Sequence, residues 1–558
     1  MEDVFGLSVP PIYVVGLQPF FQWTLSVPVL RVHAAAYWLG ATQIYPFLRE
    51  YSCRLYPKLR NGIIPLDYAH LGELAAFVAL YTRVMTRTMS RVASREANRI
   101  DALRLPPEVW LCILREATAM TYDPLDPSQE LSFLDSPSFR RKDYCKCMQN
   151  KLTLSLVSKS WNVWVRQYLY EFVWISRAGQ AKALAHTLLL QDMARGETCG
   201  RFIHRLHIQT SILERCLPAD LRTIVTYSPQ LIIFTDHQSI QRNRYEEAPD
   251  PKCSPDKIFS LLAHPNNKLR RLSWTTYDDT PFHLDMCPLV SRPTIHLEYF
   301  ELSSCSPNFS AILPQSLHHT AVYVSLPNLR SLKVSLDNVT FAVLAAWDMP
   351  QLTNLSVVSA DYSYAGSGFS AFFEQHGPKI KQLELGHSSS LVEEYVLARP
   401  QHAANPQTIR LAEWCPNLQE FICSADAEWH WQTPDWIAPH VLLPTHPTLE
   451  FIGIRDMDAR LRNDAALPWA TSTADDAPFF PLLEQLSSLL RKEAFPRLRY
   501  VRDLSEESHR MRSCHPESRI VSFWGKVIKR CSARGVWLED YSGVNVTLRA
   551  LKRASLNL

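Results

Sequence analysis

The side chains that could hold a metal begin with Cys145-Lys146-Cys147. A thiolate pair suits zinc, but structural zinc takes two ligand pairs at characteristic spacing, and no second pair lies nearby, so no metal is expected. His318-His319 precedes Ala321-Val322-Tyr323-Val324 without a carboxylate at triad spacing, and reads as an ordinary surface or core pair. The densest aromatic stretch is Glu428-Trp429-His430-Trp431-Gln432-Thr433-Pro434-Asp435-Trp436. Trp429, Trp431 and Trp436 are of the type that anchors recognition surfaces. The other reading, that their loop folds back and packs the indoles, is the commoner fate of apolar groups in such loops. Glycine, with 16 residues in 558, is too scarce for chemistry that relies on phosphate-cradling or nucleophile turns. There is no Gly-rich dinucleotide fingerprint, no phosphate loop ending in Gly-Lys-Ser/Thr and no Gly-x-Ser-x-Gly elbow. No catalytic residue and no cofactor follow, and the chain reads as a binding protein rather than an enzyme.

The elements that would position such residues repeat. An apolar residue, two variable positions, a second apolar residue, one variable position and a third apolar residue recur, clearest at Leu329-Arg330-Ser331-Leu332-Lys333-Val334, Leu352–Val357 and Ile380–Leu385. Further copies start at Ile203, Leu231, Leu269, Leu297, Leu418, Leu449 and Leu498. Most starts lie 23 to 38 residues apart, and the widest gap, from 449 to 498, holds the Pro/Asp/Ala-rich stretch Ala465–Pro481, read as a loop excursion. Between them lie helix-like segments at Asp256–Ala263, Val339–Trp347, Phe369–His376, Leu391–Leu397 and Leu482–Lys492. Ile520–Lys529 and Val536–Leu538 are the closing helix and strand. A short strand plus helix that cannot bury its apolar face alone must stack on its neighbours, so the expected fold is mixed α/β, an irregular solenoid over residues 177–558. Strand period two then sends His207, Ser273, Glu301, Lys333, Ser356, Glu384, Ile422 and Arg502 to the face opposite the apolar positions. That row is mixed in charge, unlike a nucleic-acid surface rich in Lys, Arg and stacking aromatics. It is either a protein-target surface, with His207, Glu301, Lys333 and Glu384 as contacts, or a plain solvated sheet face.

Ahead of the repeats, Leu105-Pro106-Pro107-Glu108-Val109-Trp110-Leu111-Cys112-Ile113-Leu114 reads as a helix with a marked start: prolines are tolerated in the first turn, and Glu108 complements the helix dipole. Leu152–Trp161 (LTLSLVSKSW) is a second apolar run, followed by Leu169-Tyr170-Glu171-Phe172-Val173-Trp174-Ile175. LPPEVWLCIL with LSLVSKSW resembles an F-box, and more narrowly the F-box-like proteins of mushroom-forming fungi, in which the two halves are split by an insert and a similar tail follows. The resemblance covers residues 105–176. It implies docking on the Skp adaptor, and through it on a cullin, with Leu105, Pro106, Pro107, Val109, Ile113, Leu114, Leu156, Val157 and Trp161 either on the adaptor side or in the supporting core. The spacing between Leu105 and Trp161, 161 − 105 = 56, exceeds that of an ordinary F-box. The extra residues near 121–147 are rich in Pro, Asp and Ser and read as a surface loop.

Residues 1–82 form an N-terminal extension. Val4–Leu30 carries no charge, but Pro10, Pro11, Pro19 and Pro28 break it, so no membrane segment is expected. Arg83, Arg87, Arg91, Arg95 and Arg99, four apart, make a basic stripe on a helix over 83–104, either partner-binding or simply solvated. A net charge of +3 argues for neither nucleic acid nor an anionic membrane, and 13 scattered cysteines read as reduced thiols in the cytoplasm or nucleus. The expected function is target recognition in a Skp–cullin–F-box ubiquitin ligase. A non-ligase interaction scaffold is the alternative, and an α/β enzyme is a more distant one.

Overall fold

The computed structural model describes residues 106–134, 137–210, 214, 216–237, 255–263, 268–276, 296–304, 324–335, 338–359, 367–387, 411–425, 443, 445–463, 479–514 and 516–556. The uncharged N-terminal run, the arginine row, Leu105, His318-His319, Leu391–Leu397 and the tryptophans Trp429, Trp431 and Trp436 lie outside the described residues. The chain divides into two compact units, Met1–Leu114 and Arg115–Leu558.

Among the described residues, three helices come first: α1 (Pro107–Ala117), α2 (Pro137–Ser155) and α3 (Lys159–Glu171). α1 begins at the prolyl pair, with the Pro106 carbonyl accepting from Val109 N at 3.0 Å. α3 is started by Ser158, whose extended backbone and hydroxyl cap the amide of Trp161. It ends where Phe172 turns extended, and the chain passes directly into the first strand.

Twelve strands then form one mixed-fold sheet, all parallel and in chain order. They are β1 (Phe172–Ile175), β2 (Arg205–Gln209), β3 (Ile233–His237), β4 (Arg271–Thr276), β5 (Tyr299–Ser304), β6 (Ser331–Ser335), β7 (Asn354–Ser359), β8 (Gln382–His387), β9 (Glu420–Ser424), β10 (Phe451–Arg455), β11 (Tyr500–Asp503) and β12 (Trp537–Glu539). Each of the ten apolar starts read from the sequence lies two residues before a strand, and a bonding pattern explains the offset. The residue after each start but the last offers its carbonyl to two amides of the next unit. His204 O takes Ile232 N at 2.7 Å and Ile233 N at 3.1 Å, and Ile232, Arg270, Glu298, Arg330, Thr353, Lys381, Gln419 and Glu450 do the same. The start residue itself is buried on the helix side, so a unit is both clamped and packed before its strand begins.

Among the described residues the further α-helices are α4 (Ala178–Arg195), α5 (Pro218–Thr226), α6 (Pro255–Leu262), α7 (Asn338–Ala345), α8 (Ser367–His376), α9 (Leu411–Trp414), α10 (Met457–Asn463), α11 (Phe480–Leu489), α12 (Glu506–Ser513), α13 (Ser518–Arg534) and α14 (Leu548–Leu556). Alternate strand residues (Leu206, Phe234, Leu272, Phe300, Leu332, Leu355, Leu383, Phe421, Ile452, Val501) join helix residues such as Leu188, Phe259, Phe372 and Trp524 in one continuous core. Both sheet edges are covered, as an exposed edge would template pairing with another chain. Tyr144 of α2 accepts the Trp174 amide of β1 at 3.1 Å, and Asn545 bridges back, antiparallel, to Glu539 of β12.

Two expectations are corrected here. Residues 172–175, placed with the helical module, are the first strand of the sheet, because this apolar run pairs its main chain in parallel register with Arg205–Ile208. The insert near 121–147 is not a surface loop. Residues from Pro137 onward are helical, and Pro127, Glu130, Phe133 and Leu134 are buried.

Candidate functional site

The face of the sheet opposite the helices carries the polar row read from the strand period. His207, Thr235, Ser273, Glu301, Lys333, Ser356, Glu384, Ile422, Gly453, Arg502 and Glu539 follow one another in strand register. The row is not a solvated face. His207, Glu301 and Glu384 are 6%, 2% and 6% exposed, and Lys333 is half-buried.

Part of the reason is residues 122–134, which run across this face as a strap. Local turn chemistry shapes the strap: Asp123 Oδ1 accepts Leu125 N, Asp126 Oδ1 accepts Ser128 N, and Pro127–Glu130 is a short 3-10 turn. Thr121 ties its start to α2, its amide and hydroxyl both donating to Asp143. The sheet then grips the strap's main chain. Arg205 of β2 donates to Pro124 O at 2.9 Å, and Arg271 of β4 to Glu130 O at 2.5 Å. Ser331 of β6 and Asn354 of β7 both donate to Leu131 O, at 2.8 and 3.0 Å. Gln382 of β8 accepts Phe133 N at 2.8 Å, and Arg455 of β10 donates to Phe133 O at 2.6 Å.

Two side-chain anchors complete the seat. The Glu130 carboxylate takes two bonds from Arg205, at 2.8 and 3.0 Å, and pairs with Arg140 of α2 at 3.1 Å and with Arg271 at 3.7 Å. Arg205 and Arg271 are held flat over the rings of Phe172 and Tyr299. Burial pushes the Glu130 carboxyl up, but the surrounding arginines outweigh it and hold the group at about 2. Phe133 and Leu134 fill an apolar patch with Tyr299, Ile422 and Phe451. Gly453 is what admits Leu134, since a Cβ there would stand 2.9 Å from Leu134 Cδ2 and 2.9 Å from Leu504 Cδ1.

Beside the strap a ladder of alternating charge crosses the sheet. Tyr299 OH and Lys333 Nζ donate to Glu301 at 3.1 and 2.9 Å, Ser356 donates to Glu384 at 2.7 Å, and Arg455 pairs with Glu384. Burial raises Glu301, yet Lys333 and then His237 bring it to about 2, while Glu301 in turn raises Lys333 against the effect of burial. His207 stacks against Trp174, and burial, with His237 and Arg205 close by, drives its pKa well below the ordinary 6.5.

The residues expected to contact an adaptor are distributed differently. Leu114 is buried, whereas Pro106, Val109 and Ile113 are exposed and Pro107 opens α1. Leu156 and Val157, in the turn between α2 and α3, are 66% and 57% exposed, and Val163 of α3 is 62% exposed, with Trp161 half-buried between them in sequence. Among the described residues no group of three or more His, Cys, Asp or Glu could hold a metal. Cys145 is exposed on α2, while Cys147 is buried and donates its thiol to Thr118 O, so the two sulfurs do not share a site. No helix among the described residues is long and apolar enough to cross a membrane.

The strap is the part that sequence reasoning missed. The available signal was Glu130 and the Phe133-Leu134 pair inside an otherwise polar insert, groups too costly to leave all in water. Comparison of the chain with protein-family models finds no match, and comparison with curated proteins finds none.

Proposed function

We propose that the chain is the target-recognition subunit of a Skp–cullin–F-box ubiquitin ligase, acting in the cytoplasm or nucleus. In this reading the Leu-Val-Ser-Lys-Ser-Trp turn docks on the Skp adaptor, and the repeat region, an irregular leucine-rich-repeat-like solenoid, presents a target protein. The chain does no chemistry; it raises the effective concentration of target lysines near an activated ubiquitin. The observation that carries the reading is the exposure of Leu156 and Val157 in the turn before α3 and of Val163 within it. Aliphatic side chains held in water at and just beyond a stretch that resembles an adaptor contact are the pattern of an interface awaiting a partner.

The test is capture of purified Skp adaptor by the full-length chain. Wild type should bind, and Leu156→Glu with Val157→Glu should reduce binding at least about tenfold, with the thermal midpoint unchanged because both residues are solvent-facing. A folded wild type that fails to capture the adaptor overturns the ligase reading. The strap favours one alternative in that case. A face already filled by its own chain suits an interaction scaffold that works through other surfaces.

A further inference from the structure

We propose that the sheet face between β2 and β10 is a reading surface for a peptide segment bearing an acidic residue three positions before an aromatic–aliphatic pair, and that residues 123–134 occupy it in cis. The inference rests on the reading of this face as the target surface. It does not depend on adaptor docking.

The carrying observation is what the sheet holds. Its side chains bind strap main-chain atoms at four positions, the carbonyls of Pro124, Glu130 and Leu131 and both polar groups of Phe133. Main-chain recognition by fixed side chains is independent of sequence, and specificity then comes from the pockets for individual side chains. Here those pockets are the arginine pair Arg205 and Arg271 around Glu130, and the Tyr299, Ile422 and Phe451 patch around Phe133 and Leu134. Between the anchors the contacts are lighter: Leu131 is half-buried against the same apolar patch, and the half-buried Ser132 accepts Gln382 Nε2 at 2.8 Å, while Ser128 and Gln129, just before Glu130, are exposed. The strap is held as a bound peptide is held, with sheet side chains bonding its main chain at four residues and its Glu130 and Phe133-Leu134 side chains seated in separate pockets.

Occupancy in cis has a consequence. Tethered near its start by Thr121 and continuing into α2, the strap acts at an effective concentration on the order of millimolar. A target segment of the same pattern reaches the face only when the strap lifts, so the strap sets the threshold for target binding.

The experiment uses the full-length chain and a fluorescent peptide of residues 123–134. Wild type should not bind it. The variant Glu130→Gln with Phe133→Ala, which weakens both anchors of the strap, should bind the peptide, and a peptide carrying the same two substitutions should bind at least about tenfold more weakly. A variant that stays folded by circular dichroism and does not bind the peptide overturns the proposal. Should the variant not fold, hydrogen exchange on wild type decides. Exchange of the Phe133 amide well ahead of the Leu355 and Leu383 amides supports a strap that lifts alone, and exchange together with them makes it a fixed part of the sheet and overturns the proposal. Failure of adaptor capture leaves every one of these outcomes readable.

Discussion

Asp503 and Arg512 show how a single pair is priced in this interior. Asp503 leaves β11 on the helix side and meets Arg512 of α12, and the two side chains are 2% and 4% exposed. Arg512 also lies over the Trp524 ring at 4.7 Å. Burial pushes the Asp503 carboxyl up, and Arg512 only partly offsets it. Such a pair contributes little net stability, but breaking it strands a charge. Asp503→Ala should therefore cost about 3–5 kcal/mol, and Asp503→Leu with Arg512→Met clearly less. Denaturant unfolding of the two variants checks this, and equal losses would contradict it.

At the scale of elements, one strand and one shared carbonyl recur along the chain. Leu355 of β7 is fully buried between neighbours that are fully buried too, Leu332 and Leu383. Each strand's main chain pairs only with the strand on either side, so a cavity there is felt by the adjoining units first. Leu355→Ala should cost about 2–5 kcal/mol. Hydrogen exchange should show the loss concentrated in β6 to β8, and a loss spread evenly from β2 to β11 would mean that the strap, which spans those strands, couples them. The strands and most intervening helices were legible because an apolar period of two or 3.6 is a local property of the chain. β1 was missed because Phe172–Ile175 directly follows a helix with no turn residue to separate them.

For the unit Arg115–Leu558 as a whole, α2 and the strap tie together parts far apart in sequence. Tyr144 of α2 packs on Phe172 and Trp174 of β1, while Lys142 pairs with Glu506 of α12, 364 residues away. The charged groups buried on this face make stability depend on pH. His207 and His237 are held below 6.5, chiefly by burial, and His376 is brought to about 4 by burial and Lys379. Below 6.5 the unfolded chain binds protons that these histidines refuse, so stability falls as pH drops through that value. Glu130 and Glu301 are held at about 2, below the ordinary 4.5. Their contribution is fully present above 4.5 and is lost as pH falls from there towards 2. The thermal midpoint should thus decline in two stages, and His207→Gln should shrink the first while leaving the second. A midpoint flat from pH 7 to pH 5 would refute the first stage.

The amino-acid sequence by itself determined the repeating units, their strand starts and the row His207–Arg502 that shares one face, because burial of alternate residues against stacked helices is written in local spacing. It also determined the turn chemistry of the insert, through its Asp and Pro residues. Only the tertiary structure decided where that insert goes. Glu130 meets Arg205 across 75 residues and Phe133 meets Arg455 across 322, and neither contact leaves any periodicity in the chain. The polar row could be placed on a face from its spacing alone. Whether water or the chain's own strap covered it depended on long-range hydrogen bonds and on a glycine at 453 that leaves room for Leu134.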